Sequence, residues 1–421
     1  MKRRSVIFSG LGLTLAAGLG ALFFRPKDIG ENHNDYFAGL NTLLKKKGPG
    51  RPVMMVDIDR VNHNIDQISH SVGPNKTYRI VVKSLPSLDL LKHIMTRANT
   101  NALMVFHQPF LNAIVDAFPK ADILMGKPMP ITAVETFYNK LTNPAADASK
   151  QIQWLIDTPE RLLQYQQLAK KIGVTMRINC ELDVGLHRGG LSTAQSLDPV
   201  LDIIDADPEH LTFSGFMGYE PHLTGLKVNL ESPAVQSVLD IYRGFISQAK
   251  ARGVDVEKLT LNGAGSHTLG IYEKDNVMND LSAGSGIVKP MDFDTFHMKA
   301  NQSALFIATP ILKRYDELKI PGDPAIAKLL PLWNPNMQRL YYIYGGYWKA
   351  KIVSPVGVAD PIYQSTNQSP ITTSNSVDLH VDDYIFLRPT QSEHVMLQFG
   401  DILVVKGDDI IDNWPVFHQT G

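Results

Sequence analysis

The sequence predicts an α/β protein, a (β/α)8 TIM-type barrel followed by a mainly β C-terminal domain. Eight short apolar runs alternate with amphipathic stretches from Arg51 to about residue 262. Strands and helices alternating at that spacing build a parallel barrel or, as the second architecture of the same rhythm, a doubly wound sheet. After about residue 298 helical periodicity thins and Pro, Gly, Ser and Thr accumulate, densely between Ser365 and Ser376, the texture of a separate β unit. Composition agrees with a large soluble enzyme-sized chain: of 421 residues, 44% are hydrophobic and 20% charged, which excludes a disordered, collagen-like or polytopic membrane protein. Lys and Arg (41) balance Asp and Glu (42) to a net charge of −1, so no overall field draws the chain to nucleic acid or anionic membrane. The single cysteine, Cys180, excludes an internal disulfide and a CxxC site; set in an apolar run, it reads as inert packing.

The elements follow in order. Met1-Lys2-Arg3-Arg4 precedes twenty uncharged residues, Ser5 to Phe24, and then Arg25 and Lys27. A helix of that length spans about 30 Å, one bilayer core. Residues 1–27 therefore read as a signal peptide or N-terminal membrane anchor, with Lys2-Arg3-Arg4-Ser5-Val6-Ile7-Phe8 resembling a loose twin-arginine signal. The expected location is exported or inner-membrane-anchored, on the periplasmic side. Residues 28–50 are polar and read as a linker. Candidate barrel strands are 53–58, 78–83, 102–106, 123–125, 153–157, 175–181, 211–217 and 259–262, within a barrel of residues 51–297. The stretch 159–171 is an amphipathic helix, its apolar residues at Leu162, Leu163, Tyr165 and Leu168. The closing domain, 298–421, holds β-like runs at 304–309, 341–344, 384–387 and 401–405.

Barrel chemistry sits where strands end. The second run, Tyr78 to Val82, ends on Lys83, followed by Ser84-Leu85-Pro86. A lysine ending an apolar run is poorly solvated, which suits its amine to Schiff-base formation; lysines also end strands simply by snorkelling to water. In the sixth run, alternation puts Arg177, Asn179 and Glu181 on one face, with Asp183, His187 and Arg188 in the glycine-rich loop beyond. Charged residues there fit either a polar ligand or structural ion pairs. The seventh run ends Gly218-Tyr219-Glu220-Pro221-His222. The eighth ends Asn262-Gly263-Ala264-Gly265-Ser266-His267-Thr268, and Ala283-Gly284-Ser285-Gly286 follows. Two Gly/Ser turns after the last strands are suited to holding a phosphate on backbone N–H groups.

On these residues the chain resembles the fold-type III pyridoxal-phosphate enzymes, of alanine racemase N-terminal domain type, and within them the D-threonine aldolase/D-serine dehydratase-like family. The family's opening pattern matches Val56-Asp57-Ile58-Asp59 with Asn64-Ile65, and its cofactor lysine matches Lys83. Its acidic-Asp-Val-Gly signature matches 181–190, its Gly, Tyr and His match Gly215, Tyr219 and His222, and its phosphate turn matches Gly284-Ser285. Arg388-Pro389, Gly400-Asp401 and Asp412-Asn413-Trp414-Pro415 match its ending, so the likeness spans roughly 51–421. The resemblance implies a pyridoxal 5'-phosphate enzyme acting on an amino acid, of D configuration, as an aldolase or dehydratase. The alternatives it leaves are an amino-acid racemase and a non-catalytic pyridoxal-phosphate-binding protein. It implies that Lys83 holds the cofactor and then serves as base at Cα, with His222 and Tyr347 completing the catalytic set. Tyr347, in Tyr344-Gly345-Gly346-Tyr347-Trp348, stands for the tyrosine that racemases draw from the partner's β domain, so a homodimer is expected. Arg188, Tyr219, Gly265, Ser266, His267, Gly284 and Ser285 are the implied cofactor contacts.

The chain also departs from the pattern. Metal-dependent members carry a Glu-His-Gly segment and a Pro-x-His-x-Cys segment; here 365–369 and Pro389-Thr390-Gln391-Ser392-Glu393-His394 stand in their places. Gln391 is a poor zinc ligand, so zinc is not expected, and Glu393 and His394 are the remaining metal candidates. Met217 stands where a glutamine is expected, and Gly286 where a tyrosine is. His107, ending the third run, is a pocket candidate or a structural histidine. A metal-dependent barrel hydrolase is the reading from another class, but His107, His187, His222 and His267 lack ligand spacing for it.

Overall fold

A computed structural model of the chain describes residues 25–224, 227–322, 324–359 and 361–418. Residues 1–24 of the predicted signal or anchor, 1–27, lie outside them. Among the described residues no helix is long and apolar enough to cross a membrane. The chain forms two compact units.

The first unit holds 54–305 together with 390–407 and 411–418. Its leading strand, β1 (Val53–Asp57), runs straight into a helix, Ile58–Val72, whose first turn is capped by Asp57: Oδ1 accepts from Asp59 N at 3.1 Å and Arg60 N at 3.2 Å. Asn64 on that helix is buried and donates to the carbonyls of Ile287 (2.8 Å) and Gln302 (2.7 Å). The opening motif thus has a structural use, starting a helix and tying it to the segment after the last barrel strand.

Eight parallel strands then close into a barrel: β2 (Thr77–Val81), β3 (Ala102–Val105), β4 (Asp122–Met125), β5 (Ile152–Ile156), β6 (Met176–Glu181), β7 (Leu211–Met217), β8 (Thr260–Gly263) and β9 (Asp280–Ala283). Closure is by β2 against β9, Thr77 opposite Asp280 and Ile80 opposite Ala283. Strands buried on both faces read as unbroken apolar runs, and all five residues of β5 are buried. The fold class is as predicted, a parallel barrel with a mainly β region after it, and one predicted barrel strand is displaced. The run 53–58 is outside the barrel; β1 pairs in parallel with the late strand Asp401–Lys406. The barrel's closing strand is β9, which no apolar run announced. Its Asp280 and Ser282 are consumed by a polar network inside the barrel. Arg79, 1% exposed, donates from Nη2 to Asp280 at 2.7 Å and to Asp122 at 2.6 Å, and Asn262 Nδ2 reaches Ser282 Oγ at 2.8 Å. Burial opposes the guanidinium charge, but Asp280 and Asp122 raise its pKa above the ordinary arginine value, so the ion pair stays charged. The helix predicted at 159–171 is Pro159–Ile172, with Leu162, Tyr165 and Leu168 buried and Leu163 exposed.

The second unit holds the described residues up to Val53, 306–389 and 408–410. Here β10 (Leu305–Tyr315) pairs antiparallel with β11 (Arg339–Tyr344) and, on its other edge, with a strand that also carries β12 (Ala350–Ser354). β13 (Gln368–Thr373) pairs β11, and the strand shared by β10 and β12 is β14 (Tyr384–Pro389). The predicted linker 28–50 holds a helix of this unit, Asp35–Lys47. Asn34 Oδ1 caps it at Phe37 N (3.1 Å), Leu40, Leu43 and Leu44 are buried, and Asn41 and Lys45 both bind Asp383 Oδ1, at 3.1 and 2.6 Å. Three terminal lysines made this stretch read as polar, although its leucines keep helical spacing.

Candidate active site

Lys83 sits in the single 3-10 turn Val82–Ser84 that follows β2. Val82 and Ser84 are buried, which fixes the backbone, while the Lys83 side chain stays 42% exposed. Its Nζ lies 3.1 Å from Glu393 Oε1 and 4.8 Å from the centre of the Phe106 ring. Ser84 Oγ donates to the same Glu393 oxygen at 3.2 Å. Glu393 opens the short helix Glu393–Leu397, and the preceding Ser392 Oγ, buried, bonds Ser285 Oγ at 3.2 Å. The strand-end lysine therefore has an acidic partner within the same pocket.

Opposite, two turns leave β8 and β9. Ser266 Oγ accepts from Gly284 N at 3.1 Å and Gly286 N at 3.0 Å, joining them. Thr268 N and Leu269 N both bond the Gly265 carbonyl, while the N–H groups of Ser266, His267 and Ser285 have no partner among the described residues. Two glycines are required by close approach: a Cβ on Gly265 would stand 2.8 Å from the Tyr219 ring, and one on Gly284 2.7 Å from the Val81 carbonyl. The His267 ring stacks on Phe293 with centroids 4.1 Å apart. Burial lowers its pKa, with Asp292 pulling the other way, so it presents a neutral imidazole near pH 7.

The pocket at these strand ends takes in Lys83, Arg188, Tyr219, Gly265, Ser266, His267, Gly284 and Ser285, together with Phe106, Phe293, Asn262 and Glu393. The Arg188 guanidinium lies 5.6 Å from the Tyr219 ring centre and 3.8 Å from Glu181. Burial raises the Glu181 carboxyl above the ordinary range, against the pull of Arg188. Burial likewise raises the Tyr219 phenol, with Glu220 next in effect. Of the predicted face on β6, Arg177 and Asn179 are spent inside the barrel, on Asp122 (3.0 Å) and Gln153 (3.1 Å), and only Glu181 reaches the mouth.

Four candidates do not line the pocket. His222 is exposed beside Gly185, and Tyr347 belongs to the β unit, in the turn after β11, 60% exposed. His394 is exposed, and His107 packs edge-on against Phe110 at 5.0 Å. Sequence reasoning passed over Phe106 and Phe293. It also quoted Glu220 without giving it a role, since a glutamate is by default an exposed residue.

Residues 56–288 match the sequence model described as "Alanine racemase, N-terminal domain". No curated protein matches the chain. Among solved structures it is similar to D-threonine aldolase from Filomicrobium marinum, at 15% identity and TM-score 0.68, over 86% of this chain and 94% of that one. It is similar to alanine racemase of Clostridium difficile 630 at 13% identity and TM-score 0.66, over 86% and 98%. D-threo-3-hydroxyaspartate dehydratase from Delftia sp. HT23 follows at 13% and 0.64, over 88% and 98%. At such identities these likenesses speak for the fold.

Proposed function

Since the chain belongs to the alanine racemase N-terminal domain family, that of the fold-type III pyridoxal-phosphate enzymes, we propose that it is a pyridoxal-phosphate-dependent enzyme acting on a D-amino acid at the pocket around Lys83, as an aldolase or dehydratase. The residues present fit the cofactor. Lys83 offers the amine for its aldehyde, and the unpartnered N–H groups of Ser266, His267 and Ser285, with the Ser266 and Ser285 hydroxyls, make an anion-binding cradle. Arg188 and Tyr219 stand at the wall between them.

When bound, the cofactor supplies an electron sink for negative charge at the substrate's Cα. Lys83 Nζ is placed to take the Cα proton or return it. The observation that carries the reaction class is the 3.1 Å approach of Glu393 Oε1 to Lys83 Nζ. It is the one carboxylate among the described residues lining the pocket, and it stands where metal-dependent relatives are expected to keep a ligand. A carboxylate there can accept the proton of a β-hydroxyl as the Cα–Cβ bond breaks, or, once it has received the Cα proton from Lys83 Nζ, protonate that hydroxyl as it leaves. Racemisation is the second reading: it needs a further base on the opposite face, the part Tyr347 would play from the β unit of a partner subunit.

Two measurements test the proposal. Borohydride reduction of the purified protein with its cofactor should fix a covalent adduct that peptide mapping places on Lys83, and Lys83→Ala should abolish it; an adduct on Lys127 or Lys289 would overturn the assignment. D- and L-amino acids should then be assayed together for aldehyde, keto acid and inversion. Aldehyde or keto acid from a β-hydroxy D-amino acid is expected, whereas inversion alone would install the racemase. We further propose an active homodimer, tested by light scattering at assay concentration, where a fully active monomer would refute it. Export through residues 1–27 is proposed on their sequence alone, tested by cell fractionation; activity confined to the cytosol would refute it.

A further inference from the structure

Glu220, next to Tyr219 at the end of β7, is 0% exposed. Oε1 accepts from Thr268 Oγ1 at 2.6 Å, and Thr268 Oγ1 in turn accepts from Gly265 N at 3.0 Å. Oε2 is buried with no partner among the described residues. Tyr242 and Tyr272 feel its charge, and Asp275, itself paired with Lys76 at 3.3 Å, lies in the same cluster. A buried carboxyl with half its hydrogen-bonding capacity unmet is costly, and a fold indifferent to it would do better with an apolar side chain.

We infer that Glu220 is a positioning residue for cofactor binding: through Thr268 it sets the 264–268 turn that receives the cofactor's phosphate. The inference rests on reading the pocket as a pyridoxal-phosphate site. Two bonds converge on the turn from this one side chain and its relay, at Thr268 Oγ1 and Gly265 N. They engage the N–H group before the phosphate-facing ones, so those of Ser266 and His267 are left for the ligand. Burial drives the Glu220 carboxyl up to about 7. A brace that readily takes a proton keeps its hydrogen bonds without setting a fixed negative charge behind a phosphate dianion.

The test compares the full-length chain's affinity for pyridoxal phosphate with that for pyridoxal, which shares the aldehyde and ring and lacks the phosphate. Glu220→Ala and Thr268→Val should each weaken pyridoxal phosphate about 10- to 100-fold, the loss of a hydrogen bond to a charged or buried group, and leave pyridoxal within about twofold. Thr268→Ser and Glu220→Gln, which keep the relay, should stay near wild type. Thr268→Val retains side-chain volume and carries the test alone if Glu220→Ala does not fold. Equal losses for both ligands, or none for either, would overturn the inference while leaving the cofactor site standing. A wild-type chain that binds neither ligand would overturn the site reading itself.

Discussion

At the scale of single residues the proposed function turns on Lys83 and Glu393, 3.1 Å apart in the pocket. If Glu393 handles the β-hydroxyl proton, Glu393→Gln should lower kcat by about 10²- to 10⁴-fold, the range for losing a positioned acid or base, while the cofactor stays bound through Lys83. Unchanged turnover of a β-hydroxy substrate would remove Glu393 from the mechanism. Lys83 was legible in the sequence because a lysine closing an apolar run has a physical oddity attached to it. Its partner was not, since Ser84 and Glu393 are 309 positions apart and only the fold brings them together. Glu220 gives a second prediction at this scale. Its folded-state pKa, about 7, is raised by burial above the ordinary 4.5. A raised acid stabilises the fold below its unfolded pKa and loses that contribution as pH climbs through the folded value. The Tyr242 and Tyr272 phenols, pushed up by the same burial, stay neutral throughout. Glu220→Gln, with no proton to exchange, should therefore gain on wild type by about 2 kcal/mol between pH 5.5 and pH 8. Parallel denaturation curves at both pH values should display it; a constant difference would contradict it.

At the scale of elements, the strands that announce themselves are those whose core is apolar, and β9 is the one that does not. Asp280 and Ser282 face the Arg79 network, so the segment carries the composition of a loop while closing the barrel. β1 shows the reverse, an apolar run that earned a place in the predicted barrel and pairs instead with Asp401–Lys406. Periodicity reports burial, and it does not report which partner provides it. The β2–β9 closure should depend on the buried ion pair. Arg79→Met removes the guanidinium and leaves the buried Asp280 without its cation, while Asp122 keeps Arg177 at 3.0 Å, and should cost about 3–5 kcal/mol of unfolding free energy. A loss under about 1 kcal/mol would mean that the barrel closes without it. The helix Asp35–Lys47 was hidden for another reason: a run of lysines at its end outweighed the leucine spacing beneath.

For the whole molecule, the residues that stand where metal-dependent members are expected to keep ligands have a consequence for activity. Gln391 cannot ionise, and its amide is engaged with Asp292 at 2.7 Å. Gln368 accepts from Lys313 at 2.8 Å, and Glu393 is held by Lys83 and Ser84. A zinc site needs deprotonated His, Cys or carboxylate ligands free to turn toward one point, so activity should survive prolonged EDTA treatment; turnover lost to EDTA and restored by zinc would reverse this. The barrel unit also takes up 390–407 and 411–418 after the chain has left it to make the β strands. The return is secured by Phe417, whose N bonds the Pro86 carbonyl at 2.8 Å and whose ring stacks on Phe110 at 4.5 Å. On the ribosome, then, the lysine emerges some three hundred residues before the carboxylate it faces, and a nascent chain halted anywhere before Glu393 carries Lys83 without its partner. Synthesis order alone keeps the pocket incomplete until almost all of the chain has been made.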